Sequence, residues 1–222
     1  MSGLFDAILG LGVLLVSIVI HETSHAVAAL ALGDDTARKA GRITPNPIKH
    51  LDLVGSVVMP AALFFSTGTM FGYAKPVPVT VSKLRGTDRT GFALVAAAGP
   101  ASNLVLAVIF AFLVKQFYGF DLSGVRQIGR PPGSEIIGVG PYILLVGFVW
   151  NMVLAAFNLL PIPPLDGSRF LRVLLSQPAR ATLDRIEPFG FLILFVLLIW
   201  LSEPLFRVVG FIESALLRIL PI

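Results

Sequence analysis

The chain contains no cysteine. That absence excludes disulfides, thiolate metal ligands and cysteine nucleophiles, so any bound metal must be held by His, Asp or Glu. Charge is scarce as well: Asp, Glu, Lys and Arg make up 14% of the 222 residues, against 55% hydrophobic. A mean hydropathy of +0.86 lies far outside the range of a water-soluble domain, so the expected solvent is the lipid bilayer. No basic stripe interleaved with aromatics is present, and the net charge of +4 sits mainly in connecting loops. That pattern speaks for membrane orientation and against nucleic acid as a partner. Apolar segments run almost end to end and leave no room for a separate soluble module, so a single domain over residues 1–222 is expected. No internal repeat or low-complexity tract interrupts it.

What is present is a series of long apolar runs. Residues 4–32 are broken only by Asp6 and by His21-Glu22-Thr23-Ser24-His25, and as a helix they exceed the roughly 30 Å hydrocarbon thickness. The start lacks the basic leader of a signal peptide and carries Asp6 instead, so it is expected to be a retained helix. A polar loop with Arg38, Lys39, Arg42 and Lys49 follows. Residues 53–71 are apolar but contain Pro60 and end in Ser66-Thr67-Gly68-Thr69, a poor sequence for an uninterrupted crossing. In residues 73–81, Pro76, Pro78 and the valines predict an extended or edge-strand segment. Residues 92–114 and 136–160 predict two further spanning helices, the second preceded by a Gly- and Pro-rich loop. Beyond them, residues 189–201 are apolar, and the last piece, through 220, places Glu203, Arg207, Ser214 and Arg218 on one side, as an interfacial helix does. The fold class expected is an all-α membrane protein, a polytopic helical bundle with a re-entrant segment and a short extended strand.

An ionisable residue inside a membrane is a functional hypothesis by default, because it is expensive unless paired, solvated or metal-bound. His21 and His25 are four positions apart, so both imidazoles project from one helix face, one turn apart, as two ligands of one tetrahedral zinc require. Glu22 beside them supplies the carboxylate that takes a proton from an attacking water in the His-Glu-x-x-His metalloprotease motif. With this chain's three histidines and five glutamates, shuffling produces that pattern about once in a thousand, so coincidence is a poor explanation. The competing structural reading makes the two histidines hydrogen-bonded packing residues. A catalytic zinc takes a third protein ligand, and His50 and Asp166 are the main candidates. Asp166 follows Pro161, Pro163 and Pro164 in backbone that cannot be helical, which at membrane depth is tolerated only when buried in protein or lining a cavity. It also precedes Gly167-Ser168-Arg169-Phe170-Leu171 and fits equally as the N-cap of a short helix.

Together, the His21-to-His25 motif in a membrane helix, Gly99-Pro100 with Asn103 in a later one, and Asn158 through Asp166-Gly167 after a third resemble the site-2 protease family of intramembrane zinc metalloproteases. The match covers about residues 4–170, and Asn46 to Asp52 and Gly72 to Pro78 resemble small prokaryotic members. The resemblance implies one zinc ion per chain held by His21, His25 and Asp166, with Glu22 as catalytic base. It implies that Asn158 contacts substrate, with Asn103 a further candidate whose alternative is an interhelical hydrogen bond. It also implies transmembrane proteins as substrates and the bilayer as surroundings. Residues 4–170 would form the catalytic core and 187–220 the C-terminal helices. Ser168 stands where many members have a second glycine, and no PDZ or CBS module is seen in these residues. If 53–71 dips in and returns, both basic loops fall on one face and Asp166 comes back beside His25. The positive-inside rule then makes that face cytoplasmic, and the absence of cysteine with the resemblance to small prokaryotic members implies a prokaryotic plasma membrane. The rivals are a non-catalytic metal-containing membrane protein that binds client transmembrane helices, and a small transporter, although the latter's repeated halves are not seen.

Overall fold

A computed structural model describes residues 3–52, 54–58, 74–86, 88–118, 139–200 and 202–219. Helix α1 (Gly3–Ala31) is apolar on nearly every face, as a helix solvated by lipid and protein rather than by water must be. It stops at Gly33, whose φ of +104° is open to glycine at no steric cost. There the Gly33 N–H bonds back to the Leu30 carbonyl and the Asp34 N–H to that of Ala29, a Schellman ending that satisfies carbonyls the helix leaves free. The short α2 (Thr36–Lys39) follows, then a tight turn at Pro47–His50 capped by the Asn46 side chain.

Two long helices complete the core. Helix α3 (Asp88–Tyr118) contains Pro100, which cannot donate to the helix ladder, and Ser102 Oγ donates to the Gly99 carbonyl at 2.7 Å just beyond it. Helix α4 (Val139–Asn158) crosses beside it. Among the described residues, three stretches are long and apolar enough to cross a membrane: Ile8–Ala31, Thr90–Tyr118 and Val139–Asn158. The protein is thus an all-α membrane protein. The pairings His21 with Asn103 and His25 with Val95 make α3 antiparallel to α1. Asn103 pairs with Asn151, and an added Cβ on Gly147 would meet Phe110, so α4 is antiparallel to α3 and parallel to α1. The chain leaving α4 therefore emerges at the end of the bundle where α1 finishes. Small residues permit this close approach: Ala107 and Ala111 of α3 pack against Phe148 and Met152 of α4. Large apolar side chains such as Val16, Val105, Ile109 and Phe112 face outward, where acyl chains are the matching solvent.

The remaining helices are α5 (Gly167–Leu174), α6 (Gln177–Ile186), α7 (Gly190–Trp200) and α8 (Ser202–Ile219). The first of these begins where the sequence offered Asp166 as the cap of a short helix; α6 is absent from the expectations above, because it is not apolar enough to stand out. Arg172 of α5 pairs with Asp184 of α6 and, at 2.6 Å, with Glu187. Leu194 of α7 and Val209 of α8 join Ala156, Phe157, Leu160 and Leu165 in one apolar cluster, so the C-terminal helices share a core with α4.

Most of 53–71 lies outside the described residues, apart from a wide turn at Val54–Val58, so the re-entrant segment expected there is not described. Its flanks meet at one end of the bundle, where the Arg85 N–H donates to the Leu32 carbonyl at 2.7 Å. Residues 74–80, the described part of the expected strand, are extended but form no strand ladder among the described residues. Pro76 and Pro78 remove two alternate donors from one edge, so that edge cannot pair. Two side chains and one main-chain carbonyl hold it instead. The Thr80 N–H donates to Asp34 at 2.6 Å, the Lys75 N–H to the His50 carbonyl at 2.8 Å, and the Arg42 guanidinium to the carbonyls of Lys75 and Pro76.

Candidate metal centre

Helical spacing puts His21 and His25 on the face of α1 that meets α3. Their rings stand almost perpendicular, with centroids 4.7 Å apart, and both turn Nε2 inward, 3.1 Å from each other. The outer nitrogens are engaged: His25 Nδ1 lies 2.8 Å from the Val95 carbonyl and His21 Nδ1 2.6 Å from Asn103 Oδ1. A carbonyl can only accept, so the proton of His25 sits on Nδ1 and the lone pair of Nε2 points at its neighbour. His21, facing an amide oxygen, is oriented alike.

The third corner comes from the loop after α4. Pro161, Pro163 and Pro164 end the helix and the chain folds back, with Gly167 packed so tightly that an added Cβ would strike the carbonyls of Leu159 and Leu160. Asp166 stands at the N-cap position of α5 but makes no capping hydrogen bond. Its carboxylate turns instead to the histidines: Oδ2 lies 3.3 Å from both Nε2 atoms. The other oxygen faces Arg169, at 3.7 Å, whose guanidinium also donates to the Pro164 carbonyl and lies over the Phe92 ring.

These three atoms fit a zinc ion. A tetrahedron with ligand bonds of about 2 Å has edges of about 3.3 Å, close to the observed 3.1 and 3.3 Å separations. The chemistry agrees with the spacing. Two imidazole lone pairs and a carboxylate oxygen converge with no hydrogen to share, and Asp166 Oδ2 is buried without a hydrogen-bond partner. Such a donor set is stable around a cation. Among the described residues these are the three His, Asp or Glu side chains close enough together to hold a metal ion.

The centre opens into a cleft of about 350 Å³. Glu22, Asn158 and Arg169 line it, as do Ala74, Pro76, Val77 and Val79 of the extended segment. His50 is not brought to the centre; it is buried beside the loop, with Nε2 3.0 Å from the Thr44 carbonyl. Asn103 is fully buried between helices and is not among the residues that line the cleft. Two contributors went unnoticed in the sequence, Asn151 and Arg169, and Gly99 was marked there only as part of the Gly99-Pro100 motif, without its contact with the histidines. Asn151 carried a usable signal, being a polar residue in the middle of an apolar span; Arg169 is marked by nothing but its neighbours in space.

Comparison with known proteins identifies the family. The model described as Peptidase family M50 matches residues 121–201. YwhC of Bacillus subtilis, named as a candidate zinc metalloprotease, is 39% identical over 188 residues, which cover 84% of this chain and 78% of that protein. Rip2 of Mycolicibacterium smegmatis, named in the same way, is 31% identical over 185 residues, covering 83% of this chain and 64% of its own. No solved structure matches. With three helices fit to cross a membrane and a relative of this similarity over most of both chains, the protein belongs to the site-2 protease family, peptidase family M50, and is a zinc-dependent metalloprotease integral to the membrane.

Proposed function

We propose that the chain hydrolyses peptide bonds in or beside the transmembrane segments of other membrane proteins, with one zinc ion held by His21, His25 and Asp166. The observation that supports this most is the triangle of ligand atoms opening, with Glu22, into one cleft. Zinc at such a centre supplies Lewis acidity, acidifying water and polarising a carbonyl. Glu22 takes the proton of the attacking water and delivers it to the leaving amine, so no covalent intermediate with the protein is needed. Asn158 donates to substrate backbone or to the developing oxyanion; its amide nitrogen now rests on the Leu154 carbonyl at 2.9 Å. Asn103 serves His21 rather than substrate.

The site opens toward the cytoplasm in this reading. His25 lies six residues before the end of α1, about 9 Å along the axis, on the side that bears Arg38, Lys39, Arg42, Lys83 and Arg85. Positive charge on that side supports a cytoplasmic face, and the bacterial relatives support a prokaryotic plasma membrane. The shared apolar cluster of α4, α7 and α8 supports treating residues 1–222 as one protease domain.

The test is to incubate the purified chain with a single-span substrate, with and without chelator, beside Glu22→Gln. Cleavage that needs zinc and disappears in a zinc-loaded Glu22→Gln variant is expected. Cleavage that survives in that variant would remove Glu22 from its role, and zinc binding that survives Asp166→Ala would remove the ligand set.

A further inference from the structure

Ser17, Asn103 and Asn151 are almost completely buried at the middle of the helix bundle. Polar groups buried in that position are satisfied within the bundle, by one another and by backbone carbonyls. They form one chain of hydrogen bonds that ends on the metal centre. Asn151 Nδ2 donates to the Gly147 carbonyl at 2.8 Å and to Ser17 Oγ at 2.9 Å. Ser17 Oγ in turn donates to the Val13 carbonyl at 2.9 Å. Asn103 Nδ2 donates to Asn151 Oδ1 at 2.8 Å, and Asn103 Oδ1 lies 2.6 Å from His21 Nδ1.

The chain has a direction. Gly147 and Val13 contribute carbonyls, which only accept, so Asn151 must turn its NH2 toward Gly147 and Ser17 and its oxygen toward Asn103. Asn103 must meet that oxygen with its own NH2, which leaves its oxygen for His21. The imidazole must then carry hydrogen on Nδ1 and present the lone pair of Nε2. Flip either amide and like groups face each other, donor to donor and oxygen to oxygen, in a buried site. Asn103 by itself has no such preference: an amide can offer the ring its oxygen or its NH2. If it offered NH2, His21 would accept at Nδ1 and carry its hydrogen on Nε2, where a metal ligand cannot have it.

We propose that Asn151 is a positioning residue for the metal centre: anchored on the Gly147 carbonyl, it fixes the Asn103 amide and thereby the tautomer in which His21 offers Nε2 to the metal. This rests on the reading of His21 as a ligand. Ser17 assists by taking the second hydrogen of the Asn151 amide.

A carboxylate at position 103 would have two accepting oxygens and no wrong orientation, so it would serve His21 without Asn151. That makes a double-mutant cycle decisive. Zinc affinity is measured by chelator competition on the purified full chain for wild type, Asn151→Leu, Asn103→Asp and the double variant. Asn151→Leu is expected to weaken zinc about tenfold or more in the wild-type background, and not at all in the Asn103→Asp background. Asn151→Ala, which cannot clash, should behave as Asn151→Leu and serves if the leucine variant does not fold. Nitrogen-15 NMR of histidine-labelled, metal-free protein should show His21 protonated at Nδ1 in wild type and a mixture of tautomers in Asn151→Ala. Phe148→Leu, which loosens the same α3–α4 layer without touching the polar chain, should leave zinc affinity unchanged. The proposal is overturned if the loss is equal in both backgrounds, if it is absent in wild type, if the tautomer does not change, or if Phe148→Leu weakens zinc as much. His21→Ala separates the two levels: zinc binding that survives it removes the ligand reading as well, whereas its loss beside an additive cycle removes the Asn151 proposal alone.

Discussion

Gly99 of α3 lies so close to His25 of α1 that a Cβ built on it would fall on the imidazole Nε2, and would touch the His21 ring as well. The missing side chain of one helix is the space in which the two histidines of another turn toward each other. Gly99→Ala should therefore displace both rings. A misplacement of about 1 Å is enough to lower activity roughly a hundredfold, and zinc affinity should fall with it. Alanine favours helix more than glycine does, so circular dichroism should show helicity intact while zinc content drops. Retained zinc at full occupancy would mean that the rings have another place to go.

Metal removal and base removal should separate. A ligand that binds only the folded state stabilises it by about 2.7 kcal/mol at a hundred times its dissociation constant, so chelation should lower the unfolding temperature by several degrees. Glu22→Gln should keep that zinc-dependent shift in full while cleavage falls at least about a hundredfold. Asp166→Ala should lose both, because its Oδ2 is one corner of the ligand triangle. Thermal melts with and without chelator, run beside the cleavage assay, check all three.

Asp34 predicts a pH dependence outside the membrane spans. Burial alone would raise its carboxyl, but the Thr36 hydroxyl, the Thr80 and Thr36 N–H groups and the charge of Lys83 outweigh it and hold the group below its ordinary 3.8. A group depressed on folding contributes stability that is fully present above its unfolded value and is lost as pH falls through the folded one. The attachment of residues 74–80 to the end of α1 should accordingly hold at neutral pH and loosen below about pH 4. Asp34→Asn should loosen it already at neutral pH and abolish that acid dependence. Hydrogen exchange at the Thr80 amide measures the effect; an exchange rate that Asp34→Asn leaves unaltered would remove Asp34 as the anchor.

Arg42 anchors the other end of the same segment. One guanidinium reaches the carbonyls of both Lys75 and Pro76, a fork that a lysine cannot reproduce. Ala74, Pro76, Val77 and Val79 line the cleft, so a looser segment should act on substrate and not on the metal. Arg42→Lys is expected to raise KM severalfold with zinc content unaltered. A fall in zinc content of the same size would show that the segment supports the centre itself.

Much of this protein was legible in the amino-acid order, for local reasons. Length and hydropathy mark the three spanning helices, since a helix of given length either bridges the hydrocarbon layer or does not. The interval from His21 to His25 places two imidazoles on one face because the helix repeat is close to four residues. The prolines before Asp166 mark a break at the end of α4 for an equally local reason, as a ring that fixes φ and lacks an N–H cannot continue a helix. Helix α6, which carries Arg180, Asp184 and Arg185 and buries none of its residues, escaped notice because no apolar run marks it.

Tertiary packing decided the rest. Asp166 could have capped α5, and His50 could have been a ligand; the parallel course of α1 and α4 turns the first toward the histidines, while the loop after α2 ties the second to Thr44. The clearance at Gly99 and the partners of Asn103 and Asn151 are fixed by no single helix, because each needs two helices at a set separation and rotation. Sequence by itself determined which groups sit on each helix and at what height. The meeting of helices settled which of them touch, because contact depends on the shapes of both surfaces and sequence order records only one at a time.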